Sequence, residues 1–129
     1  MNPVAQIITV KDGDDRYEAI MLWCPGCQYP DPEDGRMRGG LNMLPFVRGG
    51  SGSDKPRPTW GWNGDLVNVG LEPSILTRSK RGKDQPEFVC HSFLRNGRWK
   101  FLGDCTHALA NQTVAMEPLP EWVVRDGRR

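Results

Sequence analysis

No stretch of this 129-residue chain is apolar enough, for long enough, to cross a membrane. A cleavable apolar leader is also missing after Met1-Asn-Pro-Val4, so the expected setting is a reducing compartment and the protein is not expected to be secreted. Charge of one sign is absent as well. Lys+Arg 17 against Asp+Glu 16 leaves a net charge of +1, and no global field draws the chain to nucleic acid or to an anionic membrane. Sustained helical periodicity is missing, and 15 Gly with 11 Pro interrupt regular structure throughout. What remains is a mainly β, loop-rich single domain over residues 1–129, with little helix and only a modest core.

Familiar catalytic signatures are lacking too. There is no His-Glu-x-x-His, no Gly-x-Ser-x-Gly and no Gly-x-x-x-x-Gly-Lys. A zinc-deaminase pattern fails because His91 is followed by Ser-Phe, His107 by Ala-Leu, and Trp23 stands where a proline is needed before Cys-x-x-Cys. These absences favour a binding module over an enzyme.

The four cysteines carry most of the positive information. Cys24 and Cys27 lie in Trp23-Cys-Pro-Gly-Cys27, a spacing that turns two thiolates toward one ion. Cys90 and Cys105 fall on the two arms of a hairpin, Glu87–Leu94 and Arg98–Asp104, whose turn contains Asn96-Gly97. Pairing Arg95 with Arg98 sets Leu94 opposite Trp99, Ser92 opposite Phe101, Cys90 opposite Gly103 and Phe88 opposite Cys105. Both cysteines then share the core face, while His91 points to the other one. The expectation is one zinc held by Cys24, Cys27, Cys90 and Cys105, with His107 as the substitute ligand. Two disulfides, or unrelated buried thiols, are the competing readings. A four-thiolate shell is closed to water. If one cysteine does not bind, Asp104 or His107 becomes a base beside an open metal.

Elsewhere, Val4–Val10 and Tyr17–Trp23 read as a first hairpin across Lys11–Asp15. Residues 31–59 read as two mobile loops around one short strand at Leu41–Val47, and residues 125–129 as a polar tail. Trp60 and Trp62 share one face of a strand, as core or as a stacking platform. Arg78, Lys80 and Arg81 belong to a basic loop, a solvated connection or a phosphate contact.

The ordered pieces Trp23-Cys-Pro-Gly-Cys27, Trp60-Gly-Trp-Asn-Gly64, Pro73-Ser-Ile-Leu76, Cys90-His-Ser-Phe93, Phe101-Leu-Gly-Asp-Cys-Thr-His-Ala-Leu-Ala110 and Gln112-Thr-Val114 together span about three quarters of the chain. In them it resembles a family of short bacteriophage and prophage proteins often labelled ammonia monooxygenase. Asn42 stands where those relatives tend to place a histidine, which turns the resemblance toward the all-cysteine shell. It implies a phage source, a virion or host-cytoplasmic location and a metal. With the closed shell, the expected function is a zinc-stabilised module that binds a phage or host protein, with a homo-oligomer left open. The alternatives are a small zinc hydrolase using Asp104 and His107, and a nucleic-acid-binding module.

Overall fold

The computed structural model describes residues 2–30, 34, 37–49, 52–53, 57–80, 83–84 and 86–126. Eight strands form one mixed sheet in sequence order: β1 (Ala5–Asp12), β2 (Asp15–Pro30), β3 (Met37–Arg48), β4 (Trp60–Trp62), β5 (Leu71–Lys80), β6 (Glu87–Arg95), β7 (Arg98–Phe101) and β8 (Thr113–Ala115). Every neighbouring pair is antiparallel except β3 and β4. One short helix, α1 (Glu121–Asp126), follows. No helix among the described residues is long and apolar enough to span a membrane.

The first hairpin closes on Gly13-Asp14, with Asp12 opposite Asp15 and Gly13 at a φ of 62°, a left-handed conformation that glycine adopts without strain. Alternation along β2 then sends Ile20, Leu22 and Cys24 to the main core, while Met21 and Trp23 face the other way. On that second face α1 supplies Val123 and Val124 beside Leu119, and Trp122 meets Trp23 edge-on at 6.5 Å. Leu119 is tied back to the N-terminus, its N–H donating to Pro3 and its carbonyl accepting from Asn2. Strand β2 is therefore covered on both faces.

The β6–β7 hairpin has the register its turn residues dictate. Asn96 and Gly97 both have positive φ, 50° and 74°, and Arg95 faces Arg98, Leu94 faces Trp99 and Ser92 faces Phe101. The sheet must also curl over its own core, because Cys24 of β2 meets Cys90 of β6 although three strands separate them in the sheet order. β3 is longer than the short strand expected at Leu41–Val47, since its N-terminal half pairs with the far end of β2. Arg81 and residues 127–129 of the expected tail lie outside the described residues, whereas Arg125 and Asp126 belong to α1.

Trp99 is fully buried and stacks on Phe101 at 6.2 Å, and its indole N–H lacks a partner. Trp99→Ala should therefore cost about 3–5 kcal/mol in a urea titration. Trp99→Phe should cost much less, because it keeps an aromatic ring against Phe101 while, like alanine, removing the buried, unpaired donor. Equal losses for the two variants would mean that packing of the six-membered ring contributes little.

Candidate functional site

Strand β6 organises two sites by simple alternation. Cys90, Ser92 and Leu94 point into the core, and His91 points outward.

On the inner face Cys24, Cys27 and Cys90 are all buried, and their three sulfurs lie within 4.8 Å of one another. Cys24 and Cys90 Sγ are 3.8 Å apart. Zinc–sulfur bonds of about 2.3 Å at a tetrahedral angle put two sulfurs about 3.8 Å apart, so this spacing suits an ion. No disulfide forms, since all four cysteines are free thiols. The cluster can hold a metal ion. Hydrogen bonds from Cys24 and then Cys90 pull Cys27 well below the usual thiol range. Cys24 is pushed up, chiefly by the hydrogen bond it gives Cys27, and Cys90 is pushed up by those it gives Cys24 and Cys27. Three crowded thiols thus carry one negative charge readily and resist a second.

The expected fourth thiolate is elsewhere. Cys105 turns its sulfur to the main chain of His91, accepting its N–H at 3.2 Å and donating to its carbonyl at 3.1 Å. The anticipated Cys90–Gly103 and Phe88–Cys105 pairings do not form, because β7 ends at Phe101 and the chain turns, Cys105 N–H donating to Leu102 O. His107 packs beneath the Cys-Pro-Gly-Cys segment, so close that a Cβ on Gly26 would lie 2.7 Å from its Nε2. That Nε2 is buried without a partner. His107 Nδ1 accepts the Leu109 N–H at 3.2 Å, and burial lowers the ring's pKa against the opposing charge of Cys27. A neutral ring of that tautomer carries its proton on Nε2, and His107 is not among the residues grouped within 4.8 Å around the three sulfurs. The Asn42 side chain lies 3.9 Å from Cys27 Sγ.

On the outer face the structure assembles a group that no contiguous motif encodes. His91 Nδ1 lies 2.9 Å from Asp104 Oδ2, and His91 Nε2 lies 3.0 Å from Ser74 Oγ. The carboxylate accepts the Nδ1 proton and leaves the Nε2 lone pair facing the hydroxyl. Ser74 reaches this position through an irregularity in β5. Leu71 pairs with Leu94 and Ile75 with Ser92, so Glu72, Pro73 and Ser74 all lie opposite Phe93. Pro73 has no N–H for the ladder, which favours the break there. The Ser74 carbonyl is held by the indole N–H of Trp60 at 3.2 Å. The His91 side chain is 24% exposed and that of Asp104 56%, so the group opens to solvent on the Asp104 side.

The remaining expected binding residues do not converge. Trp62 is core, edge-on to Phe46, with its N–H on Asp65 O. Arg78 is paired with Glu87. The Lys80 side chain and all of Arg81 lie outside the described residues.

A serine, a histidine and a carboxylate joined in this order by two hydrogen bonds form the arrangement that serine hydrolases use. The chain belongs to the family described as bacterial ubiquitination-like system serine protease (BubE), whose model matches residues 2–102. Ser74 and His91 fall inside the matched span and Asp104 just beyond it. No curated protein and no solved structure matches the chain. The family match overturns the phage or prophage assignment drawn from the cysteine and tryptophan motifs, and with it the expected non-enzymatic phage binding module and virion role. The hydrolytic alternative was closer, but the family's nucleophile is a serine and not a metal-bound water.

Metal uptake by the thiol cluster must expel the protons of Cys24 and Cys90, whose ionisation is disfavoured. Affinity should therefore fall with falling pH by about a hundredfold per unit near neutrality, two protons per ion. Competition against a chromophoric chelator at pH 6 and pH 8 checks this, and a pH-independent constant would exclude thiol ligation. Cys90→Ser should lose the ion, whereas Cys105→Ser should keep it.

Proposed function

We propose that the protein is a serine protease acting within a bacterial ubiquitination-like system, with Ser74 as nucleophile, His91 as general base and Asp104 as the residue that orients the base. The observation that carries this reading is the pair of hydrogen bonds on His91, one to Asp104 and one to Ser74. Ser74 Oγ attacks the substrate acyl carbon as its proton passes to His91 Nε2. The imidazolium so formed is stabilised by the Asp104 carboxylate on Nδ1. Collapse of the tetrahedral intermediate breaks the bond to the leaving group, which takes the proton back from Nε2. Water, deprotonated by the same nitrogen, then hydrolyses the acyl-serine.

A fluorophosphonate probe tests this without knowledge of the natural substrate. The parent should be labelled on Ser74, and Ser74→Ala should not be labelled. His91→Ala should slow labelling about 10³-fold or more, and Asp104→Ala about 10²-fold, the smaller loss reflecting a carboxylate that solvent screens. Labelling that persists in Ser74→Ala, or that maps to another residue, would exclude the triad.

We also propose zinc as the ion of the Cys24, Cys27 and Cys90 cluster, since soft thiolates at tetrahedral spacing favour it among common divalent ions. Its role is structural. It ties β2 to β6 and so fixes the strand from which His91 projects. Protein purified under reducing conditions should carry one zinc per chain, and chelation should lower both its melting temperature and its labelling rate. An unchanged melting temperature after complete zinc removal would refute that role.

A further inference from the structure

A general base must be held in two respects: its ring has to be aimed, and the main chain from which the ring hangs must stay still. Asp104 answers the first requirement. The second is met in an unusual way. Because β7 ends at Phe101, residues 102–106 continue along β6 as a loop, pinned by Leu102 N–H on His91 O and Thr106 N–H on Val89 O, each at 2.9 Å. Between these pins the chain turns to bring the Asp104 carboxylate out to the His91 ring. The Cys105 sulfur takes the place of a backbone acceptor for the His91 N–H, and its S–H adds a second donor to the His91 carbonyl beside the Leu102 N–H. Thr106 repeats the device for Val89, its hydroxyl accepting the Val89 N–H at 3.0 Å.

We infer that Cys105 is a positioning residue for the general base, clamping the backbone of His91 so that His91 and Asp104 stay in register. This rests on the Ser74–His91–Asp104 reading. The chemistry suits the role, since a thiol has one donor and an acceptor sulfur, and the main chain of His91 offers it one N–H and one carbonyl beside a buried Cys105. An apolar side chain of similar size would leave that N–H unpaired and the base free to drift. Cys105 serves His91 directly and is not one of the three clustered thiols, so its effect should be separable from zinc binding.

The test compares Cys105→Val, Cys105→Ser and Ser74→Ala with the parent. The readouts are zinc content, thermal melting, the rate constant for fluorophosphonate labelling, and kcat and KM for p-nitrophenyl acetate. Cys105→Val should retain zinc but lose about 10–100-fold in labelling rate and kcat, with KM changed by less than about threefold. Cys105→Ser, whose hydroxyl has the same donor and acceptor, should recover to within about threefold of the parent. If folded Cys105→Val labels at the parental rate, or if it loses zinc together with activity, the clamp is refuted. Should Cys105→Val fail to fold, Cys105→Ser decides: near-parental labelling with zinc retained supports the clamp, and a tenfold or larger loss overturns it. Persistent labelling of Ser74→Ala would remove the triad reading itself. Loss of labelling there, beside full activity in Cys105→Val, would remove only the clamp.

Discussion

Alternation along β6 is the constraint on which the rest of the molecule depends. Cys90 and His91 are adjacent in sequence and therefore lie on opposite faces of the sheet, one in the thiol cluster and the other in the hydrogen-bonded chain to Ser74 and Asp104. A slip of one residue would bury the imidazole and expose the thiol, destroying both sites at once. Three features guard against it. The Asn96-Gly97 turn sets the pairing with β7, Leu94 is fixed in the core opposite Trp99, and the sulfur of Cys90 is held by Cys24 from across the core. An ion in the cluster would add a fourth, and would do so at the residue next to His91, the proposed general base.

The parts of the fold legible in the sequence are those governed by local chemistry. Turn residues and period-two patterning anticipate the first hairpin, the mainly β class and the register from Arg95–Arg98 to Ser92–Phe101. That register fails past Phe101 because extrapolating it assumes that a strand continues. Glycine and aspartate at positions 103 and 104 end the strand instead, and Cys105 arrives beside His91. Three of the four cysteines do meet, since Cys24 and Cys27 are local neighbours and Cys90 lies on the inward face of a correctly paired strand. The distance between β2 and β6 depends on how far the sheet curls, and no local pattern encodes that.

Ser74 was the least legible residue of all. It lies in Glu72-Pro-Ser-Ile75, which matches no nucleophile motif, and its placement depends on an irregularity that sets three residues against one. Sequence alone marks Asp104 as a carboxylate available for catalysis, but beside His107 and an open metal. His91 points away from the cysteines, so a search for metal ligands passes over it. That outward orientation is itself the available signal: a histidine on the outer face of a hairpin, with an aspartate just past its second strand, points to a hydroxyl on the next strand. Motif absence argued against an enzyme only because motifs describe contiguous residues, whereas this group is drawn from β5, β6 and the loop after β7.

The division between the two faces of β6 also bears on how robust each site is. The thiol cluster is shielded from solvent, so its electrostatics are strong and demand an ion or protons. The outer group is half open to water, and Asp104 in particular gains only a screened attraction to a charged imidazole. Orientation must then account for more of its work than charge does: it selects the tautomer, aims Nε2 at Ser74, and depends on a main chain that does not drift. A rigid inner face is what makes a lightly shielded outer face workable, because hydrogen bonds that solvent weakens can still aim a ring whose backbone is already fixed.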